Sequence, residues 1–221
     1  MATLAARCRL VQLHLVDGSV LCRLYEATGA DAAVLWLGGV GGGFDSPARG
    51  LYDRLAVELM TRGISSLRLR YRAANQLETS VEDAQVGLEF LGQRGVRGVG
   101  LVGHSFGGAV AIQAAVASPL ARGVVALASQ SYGTSVIDQL APRPLLLVHG
   151  ERDAVLPVEC SRYIFRRARQ PKRLVVLPGT GHTLDEAADE LRLLVSEWLV
   201  QSLREDRPRQ DGRAARRRRS A

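Results

Sequence analysis

The sequence predicts an α/β fold: a mainly parallel sheet of eight strands with helices on both faces and an antiparallel hairpin at its N-terminal end. Two observations lead to this prediction. From residue 33 onward, short apolar runs typical of buried strands alternate with stretches of helical periodicity. Before residue 33, apolar and polar residues alternate, as in a strand pair with one exposed face. The 221 residues suffice for one well-buried domain and are few for two.

The first two strands are predicted to form a hairpin. Asp17 and Gly18 would make a two-residue turn that pairs Val16 with Ser19. In this register one face of the hairpin is apolar and the other is polar, which predicts a half-exposed sheet edge. The apolar face would hold Val11, Leu13, Leu15, Val20, Cys22 and Leu24.

The rest of the chain is predicted to alternate strands with helices. Six further strands are expected at residues 33–37, 64–71, 98–103, 123–128, 144–149 and 172–177. Helices are expected to start at Ser46-Pro47, at a capping box Thr79-x-x-Glu82, at residue 106, near Pro157 and at a second capping box Thr183-x-x-Glu186. Residues 129–143, between two of the strands, are too few to form a lid or cap domain.

Charge divides the chain into a folded domain, residues 1–203, and a basic tail, residues 204–221. The net charge is +7. Eight arginines against three carboxylates give the tail +5, which leaves +2 for the domain. We therefore expect no nucleic-acid binding by the domain. The "RRRR" run at 216–219 could meet nucleic acid or an acidic membrane surface, but a solvated, disordered tail is the favoured interpretation.

Cysteine use and hydropathy predict a cytoplasmic protein with no membrane span. Three cysteines, an odd number, do not indicate a disulfide framework, and no spacing resembles a metal site. The N-terminus lacks the apolar core of a signal peptide. Residues 98–121 contain no Asp, Glu, Lys or Arg, but their glycines and Pro119 indicate a strand, a sharp turn and a buried helix.

A candidate nucleophile lies at the junction between a predicted strand and a predicted helix. Gly103-His104-Ser105-Phe106-Gly107 is a G-x-S-x-G sequence, which in this context forms a sharp turn that exposes the serine hydroxyl. The turn requires a strained serine backbone, and glycines two residues away avoid collisions with neighbouring backbone. The Phe106 amide and the helix dipole could stabilise developing negative charge. The alternative, a serine in an ordinary glycine-bordered turn, is less consistent with this context.

A serine nucleophile needs a base, and the base needs an acid that orients it. His182 follows the last predicted strand in a loop and is the favoured base. The other three histidines are less suitable, because His14 faces outward, His104 points away from the serine, and His149 ends a strand as a packing or hydrogen-bonding residue. The loop after strand 144–149 offers Glu151 and Asp153 as the acid, whereas Asp138 precedes that strand.

These motifs together resemble the α/β-hydrolase superfamily. The resemblance runs from about Arg7 to Leu203 and rests on "GHSFGG", "HGERDAVLP" and "GTGHT". It is strongest for compact, lidless serine esterases and dienelactone-hydrolase-like proteins, although dienelactone hydrolases have a cysteine where this chain has Ser105. The resemblance implies the triad Ser105, Asp153 and His182.

The glycine-rich loop after strand 33–37, "GGVGGG", is interpreted through the same resemblance. In similar hydrolases this loop supplies the second amide of the oxyanion hole, usually after His-Gly, where this chain has Gly38-Gly39. Val40 is the first candidate donor and Gly41 the second. A phosphate-binding loop is excluded because no Gly-Lys-Ser/Thr follows.

Arg70 and Arg72 are candidate contacts for an anionic substrate group, because they lie at the carboxyl end of a predicted strand. The favoured alternative is an internal ion pair with a carboxylate such as Asp83.

The sequence as a whole predicts a serine hydrolase of small esters or thioesters. It would need no cofactor and no metal, and its partner would be a small acyl substrate. The alternative is a non-catalytic scaffold that binds a small ligand or a protein.

Overall fold

The fold is described from a computed structural model, which describes residues 8–204. One eight-stranded sheet forms its centre, with the strand order β1-β2-β4-β3-β5-β6-β7-β8. The strands are β1 Arg9–Leu15, β2 Gly18–Tyr25, β3 Ala32–Leu37, β4 Ile64–Arg70, β5 Gly98–His104, β6 Ala121–Leu127, β7 Leu145–Gly150 and β8 Lys172–Leu177. Strands β1 and β2 run antiparallel to their neighbours, and β4, β3 and β5 to β8 are mutually parallel. The predicted sheet is confirmed.

Five helices cover the two faces of the sheet, also as predicted. They are α1 Pro47–Met60, α2 Leu77–Gln93, α3 Phe106–Ala117, α4 Glu159–Arg167 and α5 Ala188–Arg204. Helices α1 and α5 pack on one face, where Leu55 and Val195 join a core with Trp36. Helices α2, α3 and α4 pack on the other face, where Leu88 and Val110 are buried. Between β6 and β7 the chain forms a single short 3₁₀ turn at Ile137–Gln139, so this connection holds no cap domain.

The hairpin turn lies one residue earlier than predicted. Val16 and Asp17 form the turn, and Leu15 pairs with Gly18, so the predicted pairing of Val16 with Ser19 is wrong. Each partner shifts by two residues, which preserves the face of every side chain. The observed turn brings the Asp17 carboxylate 2.5 Å from the Arg72 guanidinium, an ion pair that the local turn rule does not include.

Helix α1 also starts differently from the prediction. Ala48, Arg49 and Gly50 have left-handed φ angles of 51°, 54° and 80°, and regular helix follows them. The Ser46 hydroxyl accepts a hydrogen bond from the Tyr52 amide at 2.8 Å, beyond this stretch. The physical reason is a long-range contact, because the amides of Ala48 and Arg49 donate to the loop after β8, at residues 183 and 185.

Neither predicted capping box forms. Helix α2 begins at Leu77, and the Thr79 hydroxyl donates to the Gln76 side chain instead of capping the helix. At the second box, the Thr183 hydroxyl donates to Asp185, and α5 begins at Ala188 after a 3₁₀ turn. The Thr183 carbonyl accepts a hydrogen bond from the Ala48 amide at the start of α1, and this contact holds Thr183 away from the capping position.

Helix α5 ends at Arg204, and the rest of the basic tail lies outside the described residues. Cys8, Cys22 and Cys160 are free thiols. Within residues 8–204, no helix combines the length and the apolar character needed to cross a membrane.

Candidate functional site

Ser105 occupies a strained turn between β5 and α3. Its φ and ψ angles are 55° and −116°, a region that non-glycine residues rarely adopt. Such strain costs on the order of 1–3 kcal/mol and concentrates at functional sites. A Cβ on Gly103 would lie 1.9 Å from the Gly107 carbonyl oxygen, and a Cβ on Gly107 would lie 2.3 Å from the Gly38 carbonyl oxygen. The turn can therefore form only with glycine at both positions, as the sequence predicted.

Hydrogen bonds from the main chain hold this turn in place. The Ser105 amide donates to the Leu127 carbonyl at 2.8 Å, and the Ser105 carbonyl accepts from the Gln130 amide at 3.3 Å. Phe106 is the first residue of α3, so its amide has no acceptor within the helix and lies at the positive end of the helix dipole. The Phe106 ring packs edge-on against Tyr71, with ring centroids 5.8 Å apart. The amide next to Ser105 is thus fixed and available to an anionic oxygen.

His182 and Asp153 form a hydrogen-bonded pair at the same edge of the sheet. Asp153 follows β7 and His182 follows β8, at the carboxyl ends of these strands. Nδ1 of His182 lies 2.7 Å from Oδ2 of Asp153. Because an ionised carboxylate only accepts hydrogen bonds, Nδ1 carries the proton and Nε2 has the free lone pair. The sequence left Glu151 and Asp153 as candidates, and the pairing with His182 is made by Asp153.

The Asp153 carboxylate is buried, and both of its oxygens are hydrogen-bonded. Oδ1 accepts from the amides of Val155 and Leu156, each at 2.8 Å. Burial raises the pKa of Asp153, but the hydrogen bonds from His182 and from these amides outweigh it, so the pKa lies below its ordinary value. The carboxylate stays ionised near neutral pH and can hold His182 in the tautomer that leaves Nε2 unprotonated.

His149 adds a further donor behind this pair. Its Nε2 lies 2.9 Å from the Leu156 carbonyl oxygen and 3.2 Å from Oδ2 of Asp153, so Nε2 carries the proton. Nδ1 then accepts from the Ser161 hydroxyl at 2.7 Å. The side chains of His149 and Asp153 are both fully buried. The sequence predicted a hydrogen-bonding role for His149, but not that it would share the carboxylate with His182.

His104 connects the Ser105 turn to the His182 loop. Its Nε2 donates to the His182 carbonyl at 3.0 Å, and the two imidazole rings lie 4.9 Å apart. His182 is thereby held beside the residue that precedes Ser105. Among residues 8–204 the Ser105 hydroxyl has no hydrogen-bond partner, so its bond to Nε2 of His182 is not formed in this conformation.

The glycine-rich loop lies against the Ser105 turn. The amide of Gly42 donates to the Gly39 carbonyl at 3.2 Å, which makes Val40 and Gly41 the central residues of a β-turn. The Asp45 carboxylate accepts a hydrogen bond from the Gly39 amide at 2.8 Å, so that amide is not available to a ligand. Val40 is half exposed, at 49%. The amides of Val40 and Gly41, the two candidates for the second oxyanion donor, therefore lie at the tip of the turn.

Arg70 and Arg72 have different surroundings. The guanidinium of Arg72 lies 2.5 Å from the buried carboxylate of Asp83 and also contacts Asp17 and Glu82. The hydrogen bond to Asp83 is the largest influence on Arg72 and raises its pKa. Arg72 is thus held in the internal ion pair that the sequence analysis favoured, and a contact of Arg72 with the substrate stays a prediction. Arg70 is exposed and borders a cavity of about 280 Å³ beside the glycine-rich loop.

Sequence reasoning missed two side chains that organise the site. Asp45 lies in a loop with no periodic pattern, and its contact with the Gly39 amide depends on the path of that loop. The sequence did not predict the contact of His104 with the His182 loop. A histidine directly before the candidate serine was a signal for such a contact, because that position ends a strand at the edge where the other loops converge.

Comparison with known proteins by sequence gives partial matches. No family model matches the chain. Uncharacterized protein YfhR of Escherichia coli (strain K12) is 34% identical over 88 residues, which cover 39% of this chain and 31% of YfhR. Uncharacterized protein Rv2307c of Mycobacterium tuberculosis is 31% identical over 175 residues, 64% of this chain and 61% of that protein. The chain thus spans less than two thirds of the length of these relatives.

Comparison with solved structures covers nearly the whole described chain. A dienelactone hydrolase from Anabaena variabilis superposes with a TM-score of 0.76 at 21% identity, covering 88% of this chain and 98% of the other. An alpha-beta serine hydrolase homologue from Coxiella burnetii gives 0.74 at 20% identity, with 86% and 97% covered. Est1E from Butyrivibrio proteoclasticus gives 0.75 at 14% identity, with 88% and 98% covered. The chain therefore has the α/β-hydrolase fold, with no cap domain among the described residues.

Proposed function

We propose that this protein is a serine hydrolase that cleaves small carboxylic esters or thioesters through an acyl-enzyme. The observation that carries the proposal is the buried Asp153 carboxylate 2.7 Å from His182, whose loop lies against a strained turn bearing Ser105. A nucleophile, a base and an orienting acid on three separate loops are the components of acyl transfer. The names of the similar structures, a dienelactone hydrolase and a serine hydrolase homologue, agree with this class.

In the proposed first half-reaction, the Ser105 oxygen attacks the carbonyl carbon of the substrate. Nε2 of His182 takes the hydroxyl proton, and Asp153 stabilises the resulting imidazolium. The amides of Phe106 and Val40, with Gly41 as the alternative second donor, bind the oxyanion. When the tetrahedral intermediate collapses, the alcohol or thiol leaves with the proton from His182, and the acyl group stays on Ser105.

In the second half-reaction, water attacks the acyl carbonyl carbon while Nε2 of His182 accepts its proton. Collapse of this intermediate breaks the bond to Ser105, which regains a proton from His182, and the carboxylic acid leaves. The chemistry uses only side chains and amides of this chain. We therefore propose a reaction without cofactor or metal and with a small acyl compound as the partner.

Arg70 remains a proposed contact for an anionic substrate group. It is exposed at the carboxyl end of β4 and lines the 280 Å³ cavity together with Gly41 and Gly42 of the candidate oxyanion loop. A guanidinium in this position could pair with a carboxylate on the substrate.

We also keep a cytoplasmic location as an expectation from the odd number of cysteines.

A panel of short acyl esters and thioesters tests the proposal. The wild-type protein should hydrolyse 4-nitrophenyl acetate, and Ser105→Ala and His182→Ala should each lower kcat by several orders of magnitude, up to about 10⁶-fold, as in other triads. Thr61→Ala, a surface change on the capping turn of α1, serves as the control. If the wild type hydrolyses no member of the panel, the alternative of a non-catalytic scaffold that binds a ligand or a protein is favoured.

A further inference from the structure

A second cavity lies next to the turn that bears the candidate nucleophile. It has a volume of about 630 Å³, which lies in the range of small-molecule sites, and Phe106 forms part of its wall. The Gln130 side chain lines it as well, and the Gln130 amide donates to the Ser105 carbonyl at 3.3 Å. Two residues in direct contact with Ser105 therefore form part of the wall, which puts a group bound here close to the Ser105 turn.

Uncharged polar groups dominate the wall of this cavity. Its lining, within the residues that the structure describes, contains no Lys or Arg, and Glu78 is its single charged side chain. A carboxylate without a cation disfavours an anionic ligand. Tyr132, with 77% of its surface exposed, adds a flat ring with a hydroxyl at its end. The uncharged polar side chains are Asn75, Gln76, Thr79, Gln113, Gln130 and Ser135.

Internal hydrogen bonds orient two of these carboxamides. Nε2 of Gln113 donates to the Gly133 carbonyl at 2.7 Å, and Nε2 of Gln130 donates to the Tyr132 carbonyl at 3.1 Å. Each bond uses one of the two N–H groups of its carboxamide, so each side chain keeps one N–H donor and its Oε1 acceptor for a ligand. Together with Glu78 they offer both donors and acceptors, which match a ligand rich in hydroxyl groups and do not match an alkyl chain.

We propose that the cavity lined by Gln113, Gln130 and Thr79 binds an uncharged, polyhydroxylated part of the substrate, such as a glycosyl or polyol group. The proposal rests on the proposed hydrolase function and names its substrate class. Hydroxyl groups would exchange water for the carboxamide oxygens at little cost, whereas an alkyl group would leave these acceptors unpaired. The same logic makes a hydrocarbon ester of equal size the poorer substrate.

Two matched ester pairs test this inference on the full-length protein. In the first pair the hydroxyls are on the alcohol: glucose 6-acetate against cyclohexylmethyl acetate. In the second they are on the acid: methyl gluconate against methyl hexanoate. We expect a preference of at least about tenfold in kcat/KM for the hydroxylated member of one pair, which corresponds to about 1.4 kcal/mol. Equal rates in both pairs, or a preference for the hydrocarbon members, would overturn the proposal.

Variants assign the preference to the cavity. Gln130→Leu and Thr79→Val should each reduce the ratio of the two kcat/KM values toward one, while Gln12→Leu, on edge strand β1, should leave the ratio unchanged. The ratio does not depend on the fraction of folded protein, because both esters are measured on the same preparation. A ratio that both cavity variants leave unchanged would also overturn the proposal.

Hydrolysis of 4-nitrophenyl acetate separates the two failures. If this small ester is cleaved and no pair shows the preference, the substrate class is wrong while the hydrolase proposal stands. If neither it nor any paired ester is cleaved, both proposals fall together.

Discussion

The two halves of the candidate site are stabilised in different ways. In the acid–base half, the Asp153 side chain is fully buried and the His182 side chain is 15% exposed. Hydrogen bonds of 2.7–2.8 Å connect these side chains to each other and to nearby amides. In the oxyanion half, the proposed donors are backbone amides at a turn where Val40 is 49% exposed. One half depends on the identity of its side chains, whereas the other depends on the path of its main chain.

Side chains behind the oxyanion loop fix that path. The Asp45 carboxylate binds the Gly39 amide at 2.8 Å, and the Tyr71 hydroxyl donates to the Gly38 carbonyl at 3.3 Å. The buried Arg68 guanidinium donates to the Phe44 carbonyl at 2.6 Å. These bonds use the flanking residues of the loop and leave the amides of the turn to a ligand. Hydrogen bonds to its flanking residues thus fix the conformation of this loop, in which only main-chain amides are proposed to bind the substrate.

Among the substitutions that compare the two halves, Asp153→Asn in the acid–base half is expected to have the largest effect. The new amide group can donate to Nδ1 of His182, which favours the tautomer with the proton on Nε2 and removes the base. We expect a loss in kcat of about 10⁴-fold at neutral pH, with correct folding shown by an unchanged circular dichroism spectrum. The same change at Asp138, a loop carboxylate outside the site, is the control. A loss of less than tenfold would contradict the role of Asp153.

The next largest effect is expected in the oxyanion half, with Val40→Pro. Val40 is the second residue of its β-turn, a position that accommodates proline, so the substitution removes an N–H without breaking the turn. We expect kcat for 4-nitrophenyl acetate to fall by about 10²–10³-fold. Val40→Ala, which keeps the amide, should lose much less. Equal rates for the proline and alanine variants would exclude the Val40 amide as the second donor and leave Gly41.

Part of the candidate site could be predicted from the sequence. The order of Ser105, Asp153 and His182 along the chain was sufficient to predict that they lie at one edge of the sheet, because each follows a different parallel strand. The glycine spacing around Ser105 likewise predicted its turn. These are local patterns with a direct structural meaning.

The errors arose where long-range contacts replaced local ones. The capping box at Thr183 is a correct local pattern, but the Thr183 carbonyl accepts from the Ala48 amide, and the helix starts later. The hairpin turn likewise lies one residue earlier than predicted, and its Asp17 pairs with Arg72, which follows β4. Competition between a local motif and a partner more than ten residues away depends on the folded chain, and sequence periodicity contains no information about it.

The smallest effect is expected in acid stability and concerns His104, which supports the acid–base half. Burial lowers the pKa of His104, although the hydrogen bond to the His182 carbonyl and the carboxylates of Asp45 and Asp153 act in the opposite direction. The folded state then binds fewer protons than the unfolded state, whose pKa is near the ordinary value of about 6.5. This contribution to stability is present above about pH 6.5 and is lost as the pH falls.

Urea unfolding midpoints at pH 7.5 and pH 5 measure this contribution. The wild-type protein should lose stability between the two values, and His104→Gln, which can still donate to the His182 carbonyl but does not titrate, should lose less. Gln12→His, on the exposed face of the hairpin, should behave as the wild type. An identical loss in the wild type and His104→Gln would contradict the inferred protonation state of His104.

The central claim is that Ser105 is a nucleophile activated by His182, and covalent labelling with a fluorophosphonate probe tests it most directly. The account predicts one phosphonyl adduct on the wild-type protein, located on Ser105 by peptide mass spectrometry. It also predicts no adduct on Ser105→Ala and strongly slowed labelling of His182→Ala. A wild-type protein that stays unlabelled, or a Ser105→Ala variant that labels as fast as the wild type, would contradict it.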